Sequence, residues 1–501
     1  MMKKHFIWKW MISNRLAFCV WGFFFLVPAA LFPQQTVELT LQKTITIASD
    51  SSLQAFIAKN QYLYSYWAFR SYKAARLPSL NLQLTPLQYY RDITRRYDYA
   101  NNVDVYREQQ SLYSSGNLSI RQNFDLTGGT FYLDSELSYI RNMGDNVSSQ
   151  YTSVPFRIGY QQDLFGFNSF KWEKRIEPLK FKKAKQQFLA SREEISVTSI
   201  GYFFDLAMAQ SEYDMAVDNL ESAEKLYQTG EERKKIAAIS QADLLTLKLD
   251  IINSRNSLKN AEISLKRAMT AFVSFLNLEK EAQIHLTLPS RPKDINISVD
   301  EAARFAHENN PEFLENRQQV LEAERNLDQA VKSAIFDASF NVSVGFNQVA
   351  PTFRDAYLNP SQQDVVSIGF SIPLVDWGVR KGKANMARNS LMVAKISAEQ
   401  KEISLDQDVV MTISDFNMQQ GMIESAEEAV ELANRAYAET KERFMIGKAD
   451  VNSLTLSLNR QKDARKNYLS ALKNYWLSYY KIRKMTLFDF EKNQNIEVFL
   501  E

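Results

Sequence analysis

"RFMIGKADVNSLTLSLNRQ" (Arg443–Gln461) reads as the end of one helix, a tight turn and the start of another. About 209 positions earlier the chain says nearly the same thing, "KKIAAISQADLLTLKLDII" (Lys234–Ile252). Leu245, Thr246, Leu247 and Leu249 fall in register with Leu454, Thr455, Leu456 and Leu458. Apolar residues flank both turns at alternating spacings of three and four, the period of a coiled-coil seam. After the first turn they are Leu244, Leu247, Ile251, Ser254, Leu258, Ala261, Leu265, Ala268, Phe272 and Phe275. After the second they are Val451, Leu454, Leu458, Gln461, Arg465, Tyr468, Leu472, Tyr475, Tyr479 and Ile482. Incoming stripes through Phe203, Leu206, Gln210 and Tyr213, and through Ile423, Ala426, Val430 and Ala433, complete two antiparallel hairpins.

The turns have ordinary helix chemistry. Lys234, Lys235, Lys441 and Arg443 stand where a helix C-terminus carries partial negative charge. Gly447 suits a left-handed cap, Ser240 with Asp243 makes a capping box, and Asp450 does the same work in the second turn. The first incoming helix is expected from about Leu179 to Ile236, with Pro178 in its first turn or at a kink.

A second pattern has period two. Val366, Ile368, Phe370, Ile372 and Leu374 alternate with small or polar residues, as do Phe340, Val342, Val344 and Phe346. The first half carries four such runs: Leu80–Leu84, Leu118–Phe124, Phe131–Tyr139 and Val154–Tyr160, with a hairpin turn at Leu126–Thr130. Each run is near the roughly 9–11 residues of a bilayer-crossing strand, although a soluble sandwich alternates too. Six strands per chain are few for a hollow barrel, so a membrane reading requires several copies to share one.

Composition narrows the rest. Lys+Arg (60) and Asp+Glu (58) nearly cancel, leaving no basic face for nucleic acid. No phosphate-cradling glycine motif occurs, and His285 and His307 have no ligand cluster, so neither a catalytic residue, a metal site nor a cofactor is expected. The N-terminus is basic, then apolar from Leu16 to Phe32, and reads as an export signal over residues 1–33, with Pro28 disfavouring an uncleaved anchor. Cys19 lies inside that run, which leaves the exported chain without cysteine.

Three stretches carry a resemblance. "ISVDEAARFAHENNPEFLENRQQVLEAERNLDQA" (Ile297–Ala330), "GFSIPLVDWGVRKGK" (Gly369–Lys383) and "FMIGKADVNSL" (Phe444–Leu454) occur in the order found in TolC-type outer-membrane efflux proteins, which the chain resembles over its whole exported length. The resemblance implies a mainly α fold with a membrane β-barrel portion, built as two structural repeats and assembled as a homotrimer. It divides the chain into equatorial helices (34–77 and 289–335), barrel strands (78–164 and 336–376), long hairpins (165–288 and 377–488) and a C-terminal tail (489–501). Short helices at Ser49–Ala75 and Val299–Ala334 would form a belt, and the first opening segment, about nine residues shorter, would trim its own share.

The implied function is a passive channel in the outer membrane of a diderm bacterium, in contact with lipid there and reaching far into the periplasm. It would serve efflux or type I secretion with a periplasmic adaptor (membrane fusion) protein and an inner-membrane transporter. The matching elbow residues Ile236, Ala238, Ile239, Ser240, Ile446, Gly447, Lys448 and Ala449 are candidate adaptor contacts, with simple helix capping as the alternative. Asp243 and Asp450 are candidate aperture residues. Ser453 and Leu456 stand where some members carry paired acids, and Ala238 replaces the usual glycine of the first elbow. Six strands per chain would give eighteen in a trimer instead of the usual twelve, unless the extra hairpin stands outside the barrel. A periplasmic coiled-coil scaffold without a pore is the rival reading.

Overall fold

The computed structural model describes residues 37–143, 147–236, 239–278, 284–291 and 295–497; the export-signal reading lies outside them. The chain opens with β1 (Val37–Thr40), α1 (Leu41–Ser51) and α2 (Leu53–Ala74). Four strands follow: β2 (Ser79–Asp98), β3 (Val103–Phe124), β4 (Gly129–Met143) and β5 (Ser148–Leu164). Next come the hairpin α3 (Ser169–Lys235) and α4 (Gln241–Leu276), then β6 (Ile284–Thr287). The second half runs α5 (Val299–Asn309), α6 (Pro311–Lys332), β7 (Asp337–Ala350), β8 (Ser361–Ser371), α7 (Val379–Met445) and α8 (Val451–Thr486). Two short strands, β9 (Phe488–Asp489) and β10 (Gln494–Asn495), close the described chain. The expected mainly helical fold with a β portion is what the structure has.

The halves have matching dimensions. The long helices are 67 and 36 residues in both hairpins, and the short ones 11 and 22 residues in both openings. The shorter first opening therefore trims no helix: Thr40 caps α1 through the Lys43 amide, so the first belt helix begins well before Ser49. Ser169 and Val379, and Gln241 and Val451, open the long helices, one residue out of step with the register read from the leucines.

The first long helix begins ten residues ahead of Leu179. Asn168 explains why. Its side chain accepts from the Lys171 amide at 3.1 Å and donates to the Asp125 carbonyl at 3.0 Å, tying the helix start to the β3–β4 turn. Pro178 lies inside the helix, which runs on through it despite one missing amide donor.

Seam residues Leu247, Ala261 and Phe272 on α4, and Val451, Leu454, Leu472, Tyr475, Tyr479 and Ile482 on α8, are buried. Arg465 is the exception. It is exposed, while Ala464 and Ala471 on one flank of the seam and Leu469 and Tyr480 on the other are buried. The heptad reading missed these positions, and α8 packs on α3 as well as on α7. The main core gathers where the hairpins meet the short helices, around Phe203, Phe204, Phe272, Phe416, Tyr475 and Tyr479. Beside it Arg483 binds Glu193 (2.9 Å) and Asp489 (2.6 Å), and Tyr479 donates to Asp489 (2.9 Å). This fastens the C-terminal tail to α3.

The six long strands form one antiparallel sheet in the order β2-β3-β4-β5-β7-β8. They run from 11 to 22 residues, longer than the 9–11 expected, because β2 and β3 continue beyond the apolar run. The register decides which residues share a face. Leu80 pairs with Ile120, Ile120 with Leu133, Leu133 with Ile158 and Ile158 with Val344, an apolar row across five strands. The opposite face carries Asn81, Ser119, Asp134, Arg157 and Gly345.

Aromatic rings mark both ends of the apolar face. Phe124 meets Phe131 edge to face and Phe131 packs against Tyr160 at the helical end, and Tyr139 and Tyr151 meet at 4.8 Å toward the other. From Phe131 to Tyr139 is roughly 27 Å along the strand at ~3.3 Å per residue, comparable with the ~25 Å apolar band of an outer-membrane barrel. Past the bulge at Thr85/Gln88 the same face turns charged, with Arg91 on Glu108 and Arg95 on Asp104. Among the described residues no helix is long and apolar enough to cross a membrane.

Candidate functional site

The elbows lie at the far ends of α3 and α7, about 100 Å from the sheet at ~1.5 Å per residue. Each is closed by its own residues. In the first, the Asp243 amide donates to Ser240 Oγ (3.1 Å) and the Ser240 amide to the Asp243 carboxylate (3.3 Å), a complete capping box. In the second, Gly447 sits at φ +82°, a left-handed conformation that a side chain disfavours. The Lys448 amide reaches the Arg443 carbonyl (2.8 Å) and the Gly447 amide the Phe444 carbonyl (3.0 Å), a Schellman motif. Asp450 then accepts from the Ser453 amide at 2.6 Å, and that bond, with one from the Ser453 side chain, holds its carboxyl below the usual range.

The structure also joins the two elbows, which linear reading could not show. Leu226, Leu247, Phe444, Val451 and Leu454 form a separate apolar plug shared by all four long helices. Gly230 permits the close approach: a Cβ there would stand 2.7 Å from Leu247 Cδ1. Arg233 crosses from α3 to the second elbow, donating to the Phe444 carbonyl at 2.9 Å with its guanidinium over the Phe444 ring. Lys441 returns the link by donating to Ser222 Oγ at 3.3 Å. Arg233 carried no sequence signal beyond a basic last turn.

The eight elbow candidates separate into two environments. Ile239, Gly447, Lys448 and Ala449 line one cleft together with Arg233, Asp243 and Asp450. Ile236 and Ile446 instead face solvent, 76% and 67% exposed, and Ser240 is occupied as a cap. Ala238 lies outside the described residues. Asp243 and Asp450 thus share a cleft, and both are engaged as N-terminal caps.

The histidines take no part. His285 sits exposed on β6, and His307 stacks on Phe313 and meets Asp406 at 2.7 Å. Among the described residues no group of three His, Cys, Asp or Glu side chains could hold a metal.

Comparison with known proteins agrees with this geometry. Residues 303–486 match the family model for outer membrane efflux proteins. The Campylobacter jejuni CmeC outer membrane channel superposes with a TM-score of 0.64 over 90% of this chain and 88% of that one, at 15% identity. The chain has the outer membrane efflux protein fold. The outer membrane protein VceC of Vibrio cholerae gives 0.62 over 91% and 97% at 13% identity. The open-state MtrE outer membrane channel of Neisseria gonorrhoeae gives 0.56 over 89% and 88% at 14%. No curated protein matches the chain in sequence. The resemblance to TolC-type outer-membrane efflux proteins is therefore borne out.

Proposed function

We propose that three copies of this chain form an outer-membrane channel continued by a helical tunnel, serving as the passive exit duct of an efflux or type I secretion machine. The carrying observation is a single sheet, apolar on one face and polar on the other, joined directly to helical hairpins whose elbows meet at the far end. The apolar face suits lipid and the polar face a water-filled lumen. In this reading 78–164 and 336–376 supply the barrel, and 165–288 and 377–488 the tunnel. The short helices, with the tail from 489, form the belt, and residues 1–33 direct export.

The elbows then meet a periplasmic adaptor, which links the duct to an inner-membrane transporter. Ile236 and Ile446 are the best contact candidates, since each closes its helix through the backbone and leaves an apolar side chain exposed. Gly447 belongs to the site through backbone fit, but its φ makes any substitution there a test of the turn as well.

The double variant Ile236→Glu with Ile446→Glu should abolish transport, read as hypersensitivity or lost secretion equal to that of a deletion strain. Its outer-membrane oligomer should remain at the wild-type level. Transport that survives both changes would remove the elbows from docking. Recovery of the protein as a soluble periplasmic species would favour a scaffold over a channel.

A further inference from the structure

Among the described residues the sheet ends at β2 and β8, so the outward-facing edge of each outer strand has no neighbouring strand within one chain. What covers them can be read from polarity, flush ends and the apolar band. β2 runs away from the helices, following α2, and β8 runs back toward them, leading into α7. Brought edge to edge between copies, the two strands are antiparallel, like every other pair in the sheet. Both edges also have one end on the helical side: Ser79 opens β2 five residues after Ala74, and Ser371 closes β8 eight residues before Val379.

The apolar band includes the edges. Leu80, Leu82 and Leu84 on β2, and Val366, Ile368 and Phe370 on β8, are all more than half exposed and share the face of Ile120, Leu133, Ile158 and Val344. A β2–β3 hairpin standing outside the membrane would leave those leucines in water. Its strands carry charge on this face only beyond the bulge at Thr85/Gln88.

We propose that β2 of each copy pairs with β8 of the next, so that all six strands of every chain enter one barrel. Resting on the trimeric reading above, this gives eighteen strands. The partner is a second copy of this chain, and the consequence is a bore of porin type, since barrels of about 16–18 strands enclose an open aqueous channel. Its wall carries Asn81, Gln83, Asn117, Ser119, Asn341, Ser343 and Ser367, with Arg121, Glu136 and the Arg157–Asp134 pair at 3.0 Å among its charged groups.

Cysteine pairs distinguish the arrangements, with all positions on the polar face. The full-length protein carries Gln83→Cys on β2 together with a cysteine replacing Val365, Ser367 or Gly369 on β8, each pair tested in turn in outer membranes. A parallel series joins Glu136→Cys on β4 to the same β8 positions. Mild oxidation should give covalent dimers and trimers from at least one β2–β8 pair and none from the β4–β8 series. Cross-linking of β4 to β8 without β2 to β8 would overturn this closure while leaving a trimeric channel of fewer strands. A monomer that cross-links in neither series would sink both the closure and the trimer. Where a trimer links in neither series, imaging of its barrel in lipid nanodiscs decides: eighteen strands uphold the proposal and any other count ends it.

Discussion

Arg233 is the residue on which the paired elbows turn. Its guanidinium satisfies the Phe444 carbonyl at a helix end and lies across the Phe444 ring, joining a hydrogen bond to a charged donor with a cation–π contact. Arg233→Ala should lower the free energy of elbow opening by about 1–3 kcal/mol. That would appear as roughly 5- to 150-fold faster amide exchange at Ile446–Lys448 with little change near Phe416. Unchanged exchange would show that the apolar plug alone holds the elbows. A second residue-scale device sits at the waist, where Arg483 faces Glu193, Asp489 and Tyr480 on its packed neighbours. Burial pushes the Asp489 carboxyl up, but the Arg483 guanidinium and the Tyr479 hydroxyl outweigh it and hold the carboxyl below the usual range. Burial likewise pushes the Tyr480 hydroxyl up to about 12, leaving it neutral beside the guanidinium. A depressed carboxyl stabilises the fold above its unfolded pKa of about 3.9, and that contribution is lost as pH falls below it. Thermal stability should therefore drop between about pH 5 and 3, and Asp489→Asn should flatten that slope; an unaltered slope would assign acid sensitivity elsewhere.

At the scale of elements, the caps and hairpin periods were legible because they are local. Ser240, Asp243, Gly447 and Asp450 announce their turns within four residues. Asn168 was not legible, because its partners are a carbonyl 43 residues back and an amide three residues on, and Pro178 offered a more obvious helix start. The extra buried positions of α8, Ala464, Leu469 and Ala471, were hidden for a similar reason: α8 packs on α3 as well as on α7, which no single-helix period reports. The first part of α7 makes the opposite point. Among the described residues it buries no side chain before Leu405, yet Met386, Val393, Ile396 and Ile403 form a stripe at spacings of seven, three and seven, each 54–72% exposed. Such a helix is stabilised by packing that one chain does not supply. Val393→Asp with Ile396→Asp should reduce assembled oligomer at least tenfold in outer membranes while the isolated chain keeps its helical circular dichroism. Full assembly of that variant would place the stripe away from the contacts between copies.

For the whole molecule, both layers are unfinished in the same way. The sheet has two free edges, an apolar outer face and a polar inner face, and the hairpins present unsatisfied stripes along Leu245, Leu249 and Ile252. A wall that closes through sister copies would resolve both, and in the proposed trimer the two elbows of each chain would make a ring of six. The sequence disclosed the alternation of each strand but not the common row from Leu80 to Val344, since the register across five strands depends on turns and bulges far apart in the chain. The central claim is that the isolated polypeptide is one segment of a hollow cylinder. Purified, full-length protein reconstituted into planar lipid bilayers tests it most directly, with its mass measured in the same detergent. A trimer that inserts and conducts ions in discrete single-channel steps is the predicted result; a stable monomer that stays in water and leaves the bilayer insulating would contradict it.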